Sequence, residues 1–353
     1  MRRLFITAHS NYRIIEGEYL RDILDQPGAL AATLEGLSVP DGLPPIAQQL
    51  KQGELKRVVL TGMGSSFHAL YPLHLFLTSR GCTTVLTETS ELVHYLPQLF
   101  DPQTLIIAVS QSGNSAEIVR LLEKNGARAK IIAVTNTADG PLASRADAVF
   151  LTRAGQEFSV SCKTYVTALR QLGALLCSAD FEQTHSELAQ AAAAVEAYLR
   201  SWREHVIELA ACLEGVRHLF LVGRGGSLAA VGAGALIVKE SSQCHAEGMS
   251  SAAFRHGPLE MLSEETFVVV FAGDEGTRAL NTKLLEDVRR EGGRAELIGV
   301  NGELPSLQIP AAPQSVLPIL EILPVQMITL ALSAQTGSEA GRFNLASKVT
   351  TTE

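Results

Sequence analysis

Two stretches of this sequence repeat one pattern, and that repeat constrains the fold more than any other feature. "RVVLTGMGSS" (Arg57–Ser66) and "HLFLVGRGGS" (His218–Ser227) each run from an apolar, strand-like segment through Gly-x-Gly into small residues. "EKNGARAKIIAVTN" (Glu123–Asn136) and "RREGGRAELIGVNG" (Arg289–Gly302) each read as a helix ending at glycine followed by a strand. The offsets are 161 residues (57 to 218) and 166 residues (123 to 289). Two pairs in the same order at nearly the same offset imply two copies of one α/β unit.

Within the first copy, strands are expected at Val58–Thr61, Thr84–Thr87, Leu105–Val109, Lys130–Val134 and Ala148–Leu151. Helices are expected from about Ser66, at about Ser90–Leu96 and at Ser115–Lys124. The second copy gives strands Leu219–Val222, Phe267–Phe271 and Ala295–Val300, with helices Leu228–Gln243 and Arg278–Gly292. Short, continuous apolar strands joined by helices predict an α/β fold, each half a mostly parallel sheet flanked by helices in a flavodoxin-like three-layer sandwich. The expected organisation is a helical segment 1–50 with a Pro-rich join at Pro40–Pro45, a first unit 51–178, an alanine-rich helical connection 179–215, a second unit 216–342 and a tail 343–353.

Of the 353 residues, 46% are hydrophobic and 19% charged, enough apolar material for a large core. The net charge of −8, with no basic stripe, argues against nucleic acid as a partner. Five scattered cysteines without a CxxC pair fit reduced thiols in the cytoplasm. No uninterrupted run of eighteen apolar residues and no signal peptide are evident, so no membrane association is expected.

Gly62-Met-Gly64 followed by Glu88 on the next strand invites a dinucleotide reading. The third small residue of that fingerprint is missing, however, with Phe67 in its place and Leu228 in the second copy. Ser110-Gln-Ser-Gly-Asn-Ser115 lies on a strand-to-helix turn. A helix N-terminus offers unpaired N–H groups and partial positive charge. One capping residue would account for one hydroxyl, and this turn has three plus Gln111. If the strands before Ser65-Ser66 and Ser110 are neighbours, their hydroxyls converge on one anion. Ordinary capping is the alternative. The second copy carries Asp274 and Glu275 at the equivalent turn, which would repel phosphate, so one phosphate site is expected.

The segment Gly234–Met261 gathers Lys239, Glu240, His245, Glu247, Arg255, His256 and Glu260 around Gly257-Pro258. A carboxylate and an imidazole facing one pocket would supply general acid and base, although Lys239-Glu240 alone reads first as a solvated helix end and a lone histidine as structural.

Gly62-Met-Gly-Ser-Ser-Phe-His68, Ser110–Ser115, Glu157–Val160 with Lys163-Thr164, Gly223-Arg-Gly225, Lys239-Glu240, His245-Ala-Glu247, Arg255–Pro258 and Asn344–Thr350 follow one another in a single order. Together they resemble the sugar isomerase (SIS) superfamily, most closely the isomerase half of glucosamine-6-phosphate synthase and its stand-alone isomerase, deaminase and deglycase relatives. The resemblance implies two SIS domains, phosphate contacts from Ser65, Ser66, Ser110, Gln111, Ser112 and Ser115, and Glu240 as the base that moves a proton between sugar carbons C1 and C2. It implies His256 as the ring-opening group supplied across a homodimer interface, Lys348 on a tail closing over the sugar, and no metal or other cofactor.

The sequence departs from the synthase in four places. No glutaminase domain is evident, so glutamine-dependent synthesis is not expected of this chain. Ile237 stands where the synthase has a lysine three residues before the glutamate. The tail reads Ser347-Lys348 rather than Lys-Ser, and the segment around Lys163 is one residue shorter. The expectation is an enzyme acting at C1/C2 of a hexose 6-phosphate, as an aldose–ketose isomerase or as an amino-sugar phosphate deaminase or deglycase. The rival is a non-catalytic sugar-phosphate sensor, for which residues 1–50 lack a basic recognition helix.

Overall fold

The computed structural model describes residues 12–36, 38–163, 167 and 181–345. Nine strands are assigned among them: β1 Arg57–Gly62, β2 Thr84–Glu88, β3 Thr104–Val109, β4 Lys130–Thr135, β5 Ala148–Leu151, β6 His218–Gly223, β7 His245–Ser250, β8 Thr266–Phe271 and β9 Arg294–Ile298. They form two all-parallel sheets, ordered β2-β1-β3-β4-β5 and β7-β6-β8-β9. Both sheets reverse direction of growth next to their first strand, as expected of two copies of one unit.

Side-chain alternation divides the core. Val58 and Leu60 of β1, Leu105, Ile107 and Val109 of β3, and Leu219 and Leu221 of β6 belong to one cluster shared by both halves. The intervening Val59, Ile106 and Ala108 pack under helices Thr89–Tyr95 and Ala116–Asn125. Phe220, Val222, Val268 and Val270 do the same under helix Arg278–Arg290. Each sheet therefore has one face in a common interior and the other under its own outer helices.

Helices Leu228–Ser242 and Leu317–Thr336 run through that common interior. The first is made of small residues for a geometric reason. A Cβ on Gly234 would sit 2.8 Å from Leu221 Cδ2, and one on Gly232 would collide with the His68 imidazole of the first half. The second helix is buried from Pro318 to Ala334 on every side. It is long and apolar enough to cross a membrane, yet 89% of that window lies inside the protein.

The structure corrects the sequence reading at three places. The Pro40–Pro45 stretch is not simply a join, because Pro44 and Pro45 open helix Leu43–Lys51, where a missing N–H costs nothing. Strand β7 occupies His245–Ser250, where no strand is expected from the sequence, because an edge strand needs no continuous apolar run. Helix Leu317–Thr336 was not anticipated. An all-round apolar helix has no face to reveal its period, and Pro324 lies inside it.

Candidate active site

Strands β1 and β3 are hydrogen-bonded neighbours, with Gly62 level with Val109. The loops leaving their carboxyl ends therefore rise side by side at the point where strand order reverses, the usual ligand position in such sheets. After β1 the chain turns at Gly64 (φ +55°) into the single helical turn Ser65–His68. A Cβ at Gly64 would press to 3.2 Å on Leu236 of the central helix, so glycine here serves close approach as well as the turn.

After β3, Ser110 to Ser115 form a built loop. Ser110 N–H donates to Val134 O at 3.0 Å, the Gly113 N–H donates to Ser110 Oγ at 3.2 Å, and the Asn114 N–H donates to Ser112 Oγ at 3.3 Å. Gly113 has φ +61° and stands close to Thr135 and Leu142. Ser115 is the N-cap of helix Ala116–Asn125, yet its hydroxyl makes no capping bond. Capping thus leaves unexplained the serine best placed to cap. Ser65 Oγ is buried without a protein partner as well.

A cavity of about 790 Å³ opens beside these loops, and Ser65, Ser66, Ser110, Gln111, Ser112 and Ser115 all line it. Its opposite wall comes from the other half of the chain. Leu236, Lys239 and Glu240 of the central helix face it, joined by Gln243 at the helix C-cap. Ile237 is buried in the shared core instead. The close packing of Gly232 on His68 brings this helix face over the serine loops. Burial, reinforced by the nearby Lys239 charge, pulls the His68 imidazole down to a pKa of about 4, so it packs there as a neutral ring.

The third wall follows β5. Glu157 and Ser159 line the cavity and are almost wholly buried. Glu157 Oε1 accepts the Cys162 N–H at 2.7 Å. The chain near the C-terminus crosses the mouth. Gly341 N–H donates to Ser241 O at 3.0 Å, and Ser159 Oγ donates to Gly341 O. Gly341 has φ +75°, and a Cβ there would strike Ser159 and Tyr19. This clamp delivers Arg342, Phe343, Asn344 and Leu345 to the cavity.

The SIS domain family model matches residues 54–178 and 213–335. The chain belongs to the SIS domain family. It is 30% identical over 350 residues to the glutamine–fructose-6-phosphate aminotransferase (isomerizing) of Pyrococcus horikoshii, a match covering 94% of this chain and 57% of that protein. The chain thus spans little more than half the length of this relative. The same fold is found in the tagatose-6-phosphate ketose/aldose isomerase of Escherichia coli (TM-score 0.79, 20% identity, covering 94% of this chain and 96% of that one). It is found also in the glucosamine-6-phosphate deaminase of Thermotoga maritima (TM-score 0.78, 17% identity, 95% and 100%).

In this SIS protein, His256 stands apart from the cavity of its own chain. It is exposed after the short helix Ser251–Phe254, with its N–H donating to Ala253 O. Lys348 lies outside the described residues. Lys163 is buried away from the cavity, its ammonium held by Asp22 at 3.4 Å, Asp25 at 3.1 Å and Gln156 O at 2.6 Å. Sequence reasoning did not single out Glu117, Gln243, Ser159 or Arg342 as lining residues. Gln243 lies at the C-cap just past the helix that carries Glu240. Arg342 was not legible, because its place depends on the long-range Gly341 clamp.

Among the described residues, the corresponding turn of the second half is arranged differently. Asp274 Oδ2 lies 2.8 Å from where a Gly225 Cβ would be, and Asp274 Oδ1 accepts from Thr277 N–H at 2.9 Å and Oγ1 at 3.0 Å. Ser227 Oγ donates to buried Glu321 at 2.9 Å. Here the hydroxyls after the strand ends bond the protein's own carboxyl groups, Asp274 and Glu321.

Proposed function

We propose that this protein is a phosphosugar enzyme acting at C1/C2 of a hexose 6-phosphate, as an aldose–ketose isomerase or an amino-sugar phosphate deaminase or deglycase. The observation that carries this reading is the single cavity shared by the Ser65–Ser66 turn, the Ser110–Ser115 loop and Glu240 from the other half of the chain. The hydroxyls, and the free N–H groups at the start of helix Ala116–Asn125, suit a phosphate dianion. Glu240, across the cavity, is placed to take a C–H proton from one carbon of the bound sugar and return it to its neighbour through an enediol.

Ring opening needs a second acid/base. His256 of the partner subunit is assigned to it, since His256 is exposed and remote from its own cavity. Lys348 is assigned to the tail that closes the site. The working unit is thus a homodimer in the cytoplasm, with no nucleic acid or membrane partner.

Glu240→Gln is expected to lower turnover by about a thousandfold or more while leaving sugar-phosphate affinity within a few-fold, because it removes the base and keeps the shape. Unchanged turnover would refute the role. Ser110→Ala combined with Ser112→Ala is expected to weaken a phosphorylated hexose and leave the free hexose unaffected. Equal weakening of both would refute the phosphate site. Binding without turnover of any phosphohexose by the native protein would instead favour a sensor.

A further inference from the structure

The short helix Ser251–Phe254 carries the chain into Arg255 and His256, and three contacts fasten this segment to helix Arg278–Arg290. Ser251 Oγ donates to Asn281 Oδ1 at 2.8 Å, and Asn281 Nδ2 donates on to Ala272 O at 3.2 Å. Phe254 is wholly buried in one apolar cluster with Leu284 and Val288. Arg255 Nη2 donates to Asp287 Oδ2 at 2.7 Å. Positions 281, 284, 287 and 288 recur at helical spacing, so one side of the longer helix carries the whole segment.

The contact at Arg255 is the last fixed side chain before the imidazole. His256 and Gly257 are exposed, and the chain turns away at Gly257 with φ +135°. The acceptor of Arg255 is set in advance. Lys283 Nζ and Arg290 Nη1 hold Asp287 Oδ1 at 3.2 and 2.7 Å from the same helix, which leaves Oδ2 for Arg255. The Asp287 side chain is only 11% exposed, unlike a surface ion pair with both ends in water. The Arg255 bond is the leading cause that holds the Asp287 carboxyl down at a pKa of about 2, against a weaker desolvation. Releasing Arg255 would leave Ser251 and Phe254 in place. The short helix would stay folded while the residues after it gained freedom.

We infer that Asp287 is a positioning residue for the ring-opening step: through Arg255 it fixes the turn that aims His256 at the cavity of the neighbouring subunit. The inference rests on the assignment of His256 to ring opening and deepens it. A misplacement of about 1 Å is enough to cost on the order of a hundredfold in such a step.

The test separates ring opening from the later proton transfer by choice of substrate. The 5-deoxy analogue of fructose 6-phosphate lacks the hydroxyl that closes the furanose ring, so it needs no ring-opening acid or base. Deuterium uptake at C1 from D₂O is followed by NMR for both sugars. The proteins are the native chain, Asp287→Ala, Arg255→Met, their double variant and His256→Ala. Asp287→Ala and Arg255→Met are each expected to lower the rate on fructose 6-phosphate, relative to that on the 5-deoxy sugar, by about tenfold. The double variant is expected to show the loss of either one alone, because the two residues act as a unit. His256→Ala is expected to lower the same ratio by about a hundredfold. If His256→Ala lowers the ratio but Asp287→Ala leaves it at the native value, or slows both sugars equally, the positioning inference is overturned and the His256 assignment stands. If His256→Ala leaves the ratio unchanged, the ring-opening assignment fails and takes this inference with it. No uptake into either sugar with the native protein would contradict the phosphosugar reading itself. Asp287→Asn, which keeps the side-chain shape, repeats the measurement if Asp287→Ala does not fold.

Discussion

Glu321 shows how far one side chain can lie from its ordinary chemistry in this fold. It is wholly buried, and one of its oxygens accepts from Ser227 at 2.9 Å. Burial, aided by the nearby Asp274 charge, raises its carboxyl to a pKa of about 8 against a weaker lowering by hydrogen bonds from Ser227 and the Gly273 backbone. The folded state thus holds a proton that the unfolded chain releases near pH 4. The associated stability is fully present below that range, falls as pH rises toward 8, and is flat beyond. Glu321→Gln is therefore expected to raise thermal stability at pH 8.5 by on the order of a few kcal/mol, with the gain vanishing toward pH 4–5. A melting series across that range checks it; a pH-independent difference would contradict the burial argument. At this scale the sequence was legible where chemistry is local. The Ser110–Ser115 cluster stood out by residue type and spacing, whereas Glu240 was singled out only through the family resemblance. Glu321 and Arg342 did not stand out, because burial and the Gly341 clamp arise from residues far away in the chain.

At the scale of elements, helix Leu228–Ser242 decides whether there is a site at all. Its glycines let it lie between the two halves with Glu240 over the serine loops. Gly232→Val would drive its side chain into His68. The expected cost is about 1–3 kcal/mol of stability. Weaker binding of a phosphohexose should accompany it, because the helix face must shift as a unit. A drop in melting temperature with unaltered binding would show that this contact does not position Glu240. Most strands of both sheets were readable because short, continuous apolar runs are a local pattern, reinforced after β1 and β6 by Gly-x-Gly. Strand β7 and helix Leu317–Thr336 were not. One is an edge strand with a mostly polar sequence, and the other is apolar all round. Its buried polar groups reveal their purpose only in the fold: Gln326 exchanges hydrogen bonds with Gln26 at 2.9 and 3.2 Å, and Thr329 donates to Tyr19 Oη at 3.2 Å.

At the scale of the whole molecule, the repeat has become two unequal halves. One opens a cavity at its strand ends, and the other ties its corresponding hydroxyls to Asp274 and Glu321 while supplying Glu240 to the wall of that cavity. Because His256 is distant from the cavity of its own chain, the proposed mechanism needs a second chain. Mixing inactive Glu240→Gln and His256→Ala proteins under subunit exchange is expected to restore measurable turnover through hybrid dimers, each holding one intact site. Failure to recover activity in verified hybrids would place the ring-opening group elsewhere.

The most direct test of the central claim, that Glu240 moves a proton at C1/C2 of a sugar anchored by the serine loops, is hydrogen exchange followed by NMR. The native protein and Glu240→Gln would each be incubated in D₂O with hexose 6-phosphates and their C1/C2 amino derivatives. Deuterium entering C1 or C2 of a phosphorylated sugar with the native protein, but not with the variant that still binds it, is the predicted result. Equal incorporation by both proteins, or none with any phosphorylated sugar, would contradict the account.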